Sequence, residues 1–308
     1  MYIVTGASGW LGVTTLLYLR DQLNLDLNSD VLCFSSTEKV VSLPDGQKVK
    51  SLDLKKIQDY TGICEGIFHF AFLTKDFIGK IGYTNYVQTN QGILSKMDSF
   101  LHGSDFKWIV SVSSGAVFDS PNGKLTSSLT KNPYGYLKLQ EEKLLLAHAE
   151  RSNSASVVGR LWGCTGFAMP PNRKYAISDF IIQGLETNQI NVTSCHEVWR
   201  RFIDAQNFME ILHVTALDGV SRTMDSAGEL VEIGELACKI GDELGAVVIR
   251  PEYDGISIGD YYYPDGLEMQ AKAREMGLKF STMDEQVIDT IKGHRLHLER
   301  VRKRKIYE

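Results

Sequence analysis

The stretch Tyr134-Gly-Tyr-Leu-Lys138 sets a phenol and an ammonium four residues apart. On a helix that spacing puts both on one face. A cation beside a phenol favours phenolate and lowers its pKa from the usual value of about 10. Such a tyrosine can pass a proton to or from a carbinol oxygen near neutral pH. Alone, the pair also suits a solvated helix face. The stretch Ser113-Ser114-Gly-Ala-Val changes that weighting, because it ends an apolar run with hydroxyls. Ser114, with Ser113 as second choice, could hold the same carbinol oxygen; plain strand-end capping is the competing role. A third stretch, Thr5-Gly6-Ala7-Ser8-Gly9-Trp10-Leu11-Gly12, stands between an apolar strand pattern and an apolar helix pattern. There Gly6 would permit a tight turn, Gly9 the close approach of a pyrophosphate, and Gly12 the packing of helix on sheet. The helix start would offer N–H groups and partial positive charge to the phosphate.

Chemistry of this kind needs strand ends and helix starts to hold it. YIVT, DVLCFSS, KVKSLDL, GIFHFAF, KWIVSVSS and SASVVGRLWG read as six strands. Between them WLGVTTLLYLRDQL, NYVQTNQGILSKMDSFL and NPYGYLKLQEEKLLLAHAE read as helices, the last with Pro133 in its first turn. Alternation of this sort predicts an α/β fold, a Rossmann-type doubly wound parallel sheet, with ligands at the carboxyl ends of the strands. Regularity falls after Gly163. The expected division is a nucleotide-binding domain of residues 1–163 plus about 198–224, and a smaller C-terminal α/β substrate-binding domain of 164–197 and 225–308. His69 reads as a packed, hydrogen-bonded histidine on an apolar strand, whereas His294 and His297 read as solvent-facing. The basic end HRLHLERVRKRKIYE reads as a solvated terminal helix.

Composition excludes several classes. A net charge of −5 over 308 residues argues against a nucleic-acid binder, whose affinity rests on clustered cations. The five cysteines are scattered with no CxxC or Cys/His spacing, so they predict reduced, mostly buried thiols and no metal. No leader pattern and no membrane-spanning apolar run is visible, which predicts a cytoplasmic protein with no membrane partner.

Taken in order, these motifs resemble the extended short-chain dehydrogenase/reductase family, whose members include nucleotide-sugar epimerases, dehydratases and reductases. Further matches are Ser51-Leu52-Asp53-Leu54, Ile67-Phe68-His69-Phe70-Ala71, Asn90, Gly159-Arg160-Leu161 and Arg200-Arg201-Phe202-Ile203. The resemblance implies an NAD or NADP cofactor contacted by Gly6, Ser8, Gly9, Trp10, Leu11, Gly12, Ser35, Ser36, Asp53, Leu54, Phe70, Ala71, Phe72, Asn90, Ser113, Tyr134 and Lys138. It implies catalysis by Ser114, Tyr134 and Lys138. The substrate would be a nucleotide sugar touched by Ser114, Tyr134 and Arg200, with Arg200 on its diphosphate. The second strand ends Phe34-Ser35-Ser36-Thr37 and has no acid before Glu38, which leans towards NADP and towards reduction of a 4-keto sugar. The alternatives are an epimerase with tightly bound NAD and a non-catalytic cofactor-binding sensor or scaffold. Ser-Gly-Ala after Ser113 lacks the acidic pair that elimination of water requires, which argues against 4,6-dehydration. The family also implies a homodimer seam along the Tyr134–Lys138 helix.

Overall fold

The computed structural model describes residues 1–120, 123–253 and 255–307, the last six by backbone alone. Two units emerge, one of Met1–Leu161 with Met209–Asp225, the other of Trp162–Phe208 with Ser226–Glu308.

The first unit is built on one sheet. Its strands are β1 (Tyr2–Thr5), β2 (Val31–Ser35), β3 (Lys39–Ser42), β4 (Lys48–Asp53), β5 (Ile63–His69), β6 (Asp105–Ser114), β7 (Ala155–Leu161) and, much later in the chain, β11 (Arg222–Asp225). They lie in the order β11-β7-β6-β5-β1-β2-β4-β3, all parallel except β3, which runs antiparallel to β4. From β1 the chain winds one way through β2 and β4, and from β5 the other way through β6 and β7. The crevice between the ends of β1 and β5 is therefore the switch point where such sheets take ligands. The central strands are apolar on both faces: Ile3, Val4, Ile67, Phe68, Val110, Val157 and Val158 are fully buried. That pattern is what helices on both sides of a sheet demand. The helices α1 (Trp10–Asp21), α3 (Tyr83–Gly103) and α4 (Pro133–Arg151) carry the groups of interest, and the short α2 (Ile78–Ile81) leads into α3.

In the second unit β10 (Val198–Asp204) pairs with β8 (Cys164–Thr165), β12 (Glu229–Glu232) and β14 (Asp260–Tyr262). A separate ladder joins β9 (Gln189–Asn191) to β13 (Val247–Ile249). Helix α5 (Ala176–Thr187) packs on α7 (Ile233–Leu244) and on α9 (Met283–Tyr307), with α8 (Leu267–Glu275) between α7 and α9 in the chain. Helix α6 (Ala205–Leu217) carries the chain back to the first unit.

Several expectations shift. Residues 198–208 belong to the second unit, because β10 finds its partners there rather than on the main sheet. Only 209–225 returns, with β11 added beside β7. Strand β3 was not expected: it is a four-residue, mostly exposed edge strand with little apolar signal. His294 is fully buried rather than solvent-facing, because its Nε2 meets Ser178 Oγ at 2.8 Å and its Nδ1 meets Thr290 O at 3.0 Å. His297 is exposed. The thiols are not mostly buried: Cys33 and Cys64 are, Cys164 and Cys195 are half-buried, and Cys238 is exposed. The basic chain end lies in α9, but its side chains past Val301 fall outside the described residues. Among the described residues no helix is long and apolar enough to cross a membrane.

Candidate active site

The glycine loop follows β1 directly. Gly6 has φ +69°, a region open to glycine, and a Cβ there would lie 2.7 Å from the Phe70 carbonyl carbon. A Cβ at Gly12 would lie 2.4 Å from Gly6 O, so only glycine lets α1 close onto the loop. Gly9 is different. It is exposed, and its Cβ would meet only Gly6 O, at 3.2 Å. Gly9 is also the N-cap of α1 and brings no side-chain cap, so the first-turn N–H groups are left to a ligand or water. Ser8 is exposed beside it, Trp10 and Leu11 are half-buried, and the buried Trp10 Nε1 has no partner. These features fit a dinucleotide pyrophosphate.

Other expected cofactor contacts are committed elsewhere. Ser35 is buried and its Oγ lies 2.8 Å from Ser51 Oγ; Ser36 is exposed at the same strand end. Asn90 is fully buried, and its amide is spent on Leu73, accepting from N at 2.8 Å and donating to O at 3.2 Å. It pins the loop after β5. Asp53 Oδ1 accepts from Lys55 N, and Leu54 joins the core. Phe70, Ala71 and Phe72 leave β5 beside Gly6, as the close approach at Phe70 requires.

Local chemistry brings Tyr134 to the end of β6. Asn132 caps α4 by accepting from Gly135 N, and its Nδ2 donates to Ala116 O at 2.7 Å. Pro133 occupies the first helical turn, where its missing N–H costs nothing. A Cβ at Gly135 would stand 1.9 Å from Ala116 O, so the helix start abuts the turn after β6 only because residue 135 is glycine. Ser114 Oγ accepts from Ala116 N at 3.2 Å, a bond that leaves its own proton uncommitted. Ser113 Oγ is buried without a partner. Tyr134 is half-buried, with its ring centroid 6.0 Å from that of Phe72 in an edge-on arrangement.

Lys138 sits in a different environment from a solvated helix lysine. It is buried, and Nζ donates to Glu141 Oε2 at 2.6 Å and to Val112 O at 2.9 Å. The Phe72 ring faces the same ammonium, 3.9 Å from centroid to nitrogen. Glu141 is also buried; Ser111 Oγ donates to its Oε1 at 3.0 Å. His69 Nε2 lies 3.2 Å from that oxygen, near enough for charge contact though off the line of a good hydrogen bond. On the other side His69 Nδ1 is 2.6 Å from Thr5 Oγ1, which also accepts from Phe70 N and Ala71 N. Two N–H groups fill the hydroxyl's lone pairs, so its proton goes to Nδ1, and the ring's own proton is assigned to Nε2, facing Glu141. Thr5, His69 and Ser111 stand in one row across β1, β5 and β6. Burial would raise the Glu141 carboxyl, but Lys138 and His69 overcome that and hold it down at about 2.

The reading of the residues missed Glu141, Thr5 and the role of Phe72. A glutamate inside a run of charged and leucine residues looks solvated until the helix phase and the strand register are both known. Glu142, its neighbour, pairs bidentately with Arg160 of β7 at 3.0 and 2.7 Å.

In the second unit, Arg200 Nη2 pairs with Asp260 Oδ2 at 2.6 Å and Nη1 donates to Trp199 O and Asp260 O. Arg201 donates to backbone instead, from Nε to Pro264 O and from Nη1 to Gly228 O.

A family model described as the NAD dependent epimerase/dehydratase family matches residues 2–233. Similar solved structures include MoeE5 in complex with UDP-glucose and NAD, at 21% identity and TM-score 0.72, covering 96% of this chain and 99% of that one. Another is UDP-N-acetylglucosamine 4-epimerase from Methanobrevibacter ruminantium M1 in complex with UDP-N-acetylmuramic acid, at 20% identity and TM-score 0.71, covering 95% and 97%. A third is TunA, an NAD dependent NDP-hexosamine 5,6-dehydratase, at 15% identity and TM-score 0.66, covering 95% and 96%. At these identities the likeness is one of fold. No curated protein matches. The lean towards NADP finds no support here, since the family is NAD dependent.

Proposed function

Because the chain belongs to the NAD dependent epimerase/dehydratase family, we propose that it is an NAD-using enzyme of nucleotide-activated sugars, with Tyr134 as the group that moves the sugar's hydroxyl proton. The observation that carries this is the abutment of α4 on the turn after β6, which sets Tyr134 and Lys138 at the strand end that presents Ser114. When bound, the cofactor supplies a carbon that takes and returns a hydride. The first-turn N–H groups of α1, with Gly9 and Ser8, would hold the pyrophosphate, and Ser36 would face the adenine ribose. Ser114 donates its free proton to the sugar oxygen, and Tyr134 takes or gives the proton on that oxygen. Arg200 is assigned to the diphosphate, since its carboxylate partner Asp260 is exposed and can give way to another anion.

Epimerisation through a keto sugar is our first reading of the outcome. It needs no net redox partner, and the family description and the epimerase among similar structures support it. Reduction of a 4-keto sugar with NADP is the second. One observation favours it: β2 ends on the exposed hydroxyls Ser36 and Thr37, beside Lys50 and Lys56, which hold Glu38. Calorimetry with NAD, NADP and the UDP, GDP, CDP and dTDP sugars tests both readings. We expect NAD and one nucleotide sugar to bind, and Tyr134→Phe to keep that binding while turnover falls by about 10²–10⁴-fold. Binding of neither cofactor would remove the proposal, and consumption of NADPH without epimer exchange would turn it into the second reading.

A further inference from the structure

A buried ammonium keeps its proton only if a counter-charge offsets the loss of water. The side chain of Lys138 is 5% exposed and that of Glu141 2%. Among the described residues Glu141 is the one carboxylate bonded to Lys138; the other partners of Nζ are a carbonyl and an aromatic face. Glu142 cannot substitute, because Arg160 occupies both of its oxygens. Glu141 itself is fixed from two strands at once, by Ser111 on β6 and by His69 on β5. The charged and titratable groups that face Glu141 are therefore Lys138 from its own helix and His69 from β5. Arg160 of β7 is spent on Glu142, and α3 bonds no such group to Glu141 among the described residues. Beyond His69 the connection continues through Thr5 to the N–H groups of Phe70 and Ala71, the segment against which Gly6 packs.

We propose that Glu141 is the positioning residue of Lys138: it keeps the ammonium charged and aimed, and through His69 and Thr5 it ties that charge to the two strand ends that form the cofactor bed. The inference rests on the reading of Lys138 as the lysine of the cofactor site. It gives His69 a task beyond packing. The imidazole is a spacer of fixed length between the loop strand and the carboxylate.

The test is direct observation of Lys138 by side-chain carbon NMR, with the resonance assigned through Lys138→Met, in parallel with NAD calorimetry across pH. The wild-type Lys138 signal across pH is the reference. In Glu141→Gln the carboxamide keeps the shape and loses the charge, so the signal should become that of a neutral amine at lower pH than in the wild type. NAD affinity should then fall by about tenfold or more over the same interval, since a neutral amine is the weaker donor. Glu141→Asp should lie between the two and serves if the glutamine variant does not fold. A Lys138 signal and an NAD pH profile unchanged from wild type, in Glu141→Gln or in Glu141→Asp, would overturn the proposal; a merely structural glutamate gives that result once the variant is folded. Failure of the wild type to bind NAD at any pH removes the reading of the site, and the lysine signal then decides the proposal alone.

Discussion

Lys138 in the first unit and Arg200 in the second each meet a carboxylate at 2.6 Å, yet the two pairs stand in opposite surroundings. The Lys138–Glu141 pair is all but sealed, and every oxygen of the glutamate is engaged. The Arg200 side chain is 26% exposed and its partner Asp260 50%. In the first, neither member can change partner without leaving a buried charge. In the second, water or another anion can take the place of Asp260 at small cost. One cation is preorganised and the other exchangeable. Those are the properties expected of a residue that holds a fixed cofactor and of one that must release a product's phosphates.

The contrast can be broken most forcefully at the buried pair. Glu141→Ala leaves an unpaired ammonium in the interior and should cost about 3–5 kcal/mol in urea unfolding at pH 7. A loss below about 1 kcal/mol would make this pair no different from a surface one. The sign of its pH dependence follows from the depressed carboxyl. Stability from Glu141 is complete above its ordinary pKa of 4.5 and fades only as pH falls towards about 2.

The two units can also be compared through one buried histidine each. Burial pushes His213, whose Nδ1 meets the Tyr18 hydroxyl at 2.9 Å, down to about 4, and it does the same to His294. Each stays neutral in the fold while the unfolded chain takes up a proton. Stability should therefore be full above about pH 6.5 and decline as pH drops towards 4, by about 2 kcal/mol per histidine at pH 5. Urea midpoints at pH 7 and 5 check this. Replacing either histidine with glutamine should flatten the decline for its own unit, and an equal decline in the variants would remove the assignment.

The smallest effect belongs to Arg200. Its alanine variant should keep stability within about 1 kcal/mol, as exposed pairs do, while affinity for whichever of UDP, GDP, CDP and dTDP the wild type binds drops about tenfold or more by calorimetry. Unchanged affinity for that nucleoside diphosphate would leave the exchangeable cation without a ligand.

Much of the first unit was legible in the residues. Alternating apolar runs and helix patterns mark the core strands and α1, α3 and α4, because burial on both faces leaves a strong local signature. The glycine loop and the Tyr134–Lys138 pair were legible because backbone approach and helix phase restrict residue type. The edge strand β3 was not, since three of its four residues are exposed; a return of the chain to the first unit was expected, but not the strand β11 that makes it, which is only partly buried at the edge of the sheet. Ser35 and Asn90 look like ligand contacts in a motif, and their bonds to Ser51 and Leu73 are ones that no spacing reveals. Glu141 was invisible for the same reason: its partners lie on strands 30 and 72 positions away in the chain, at Ser111 and His69.

The row from Phe70 and Ala71 through Thr5 and His69 to Glu141 begins at backbone donors that cannot reverse and ends at an anion that only accepts. Every proton along it is thus oriented the same way. Such a row has no second arrangement of equal energy, so it neither stores a proton nor conducts one. It acts as a strut with a built-in polarity, and the proton transfer we propose for Tyr134 and Ser114 is left to the open side.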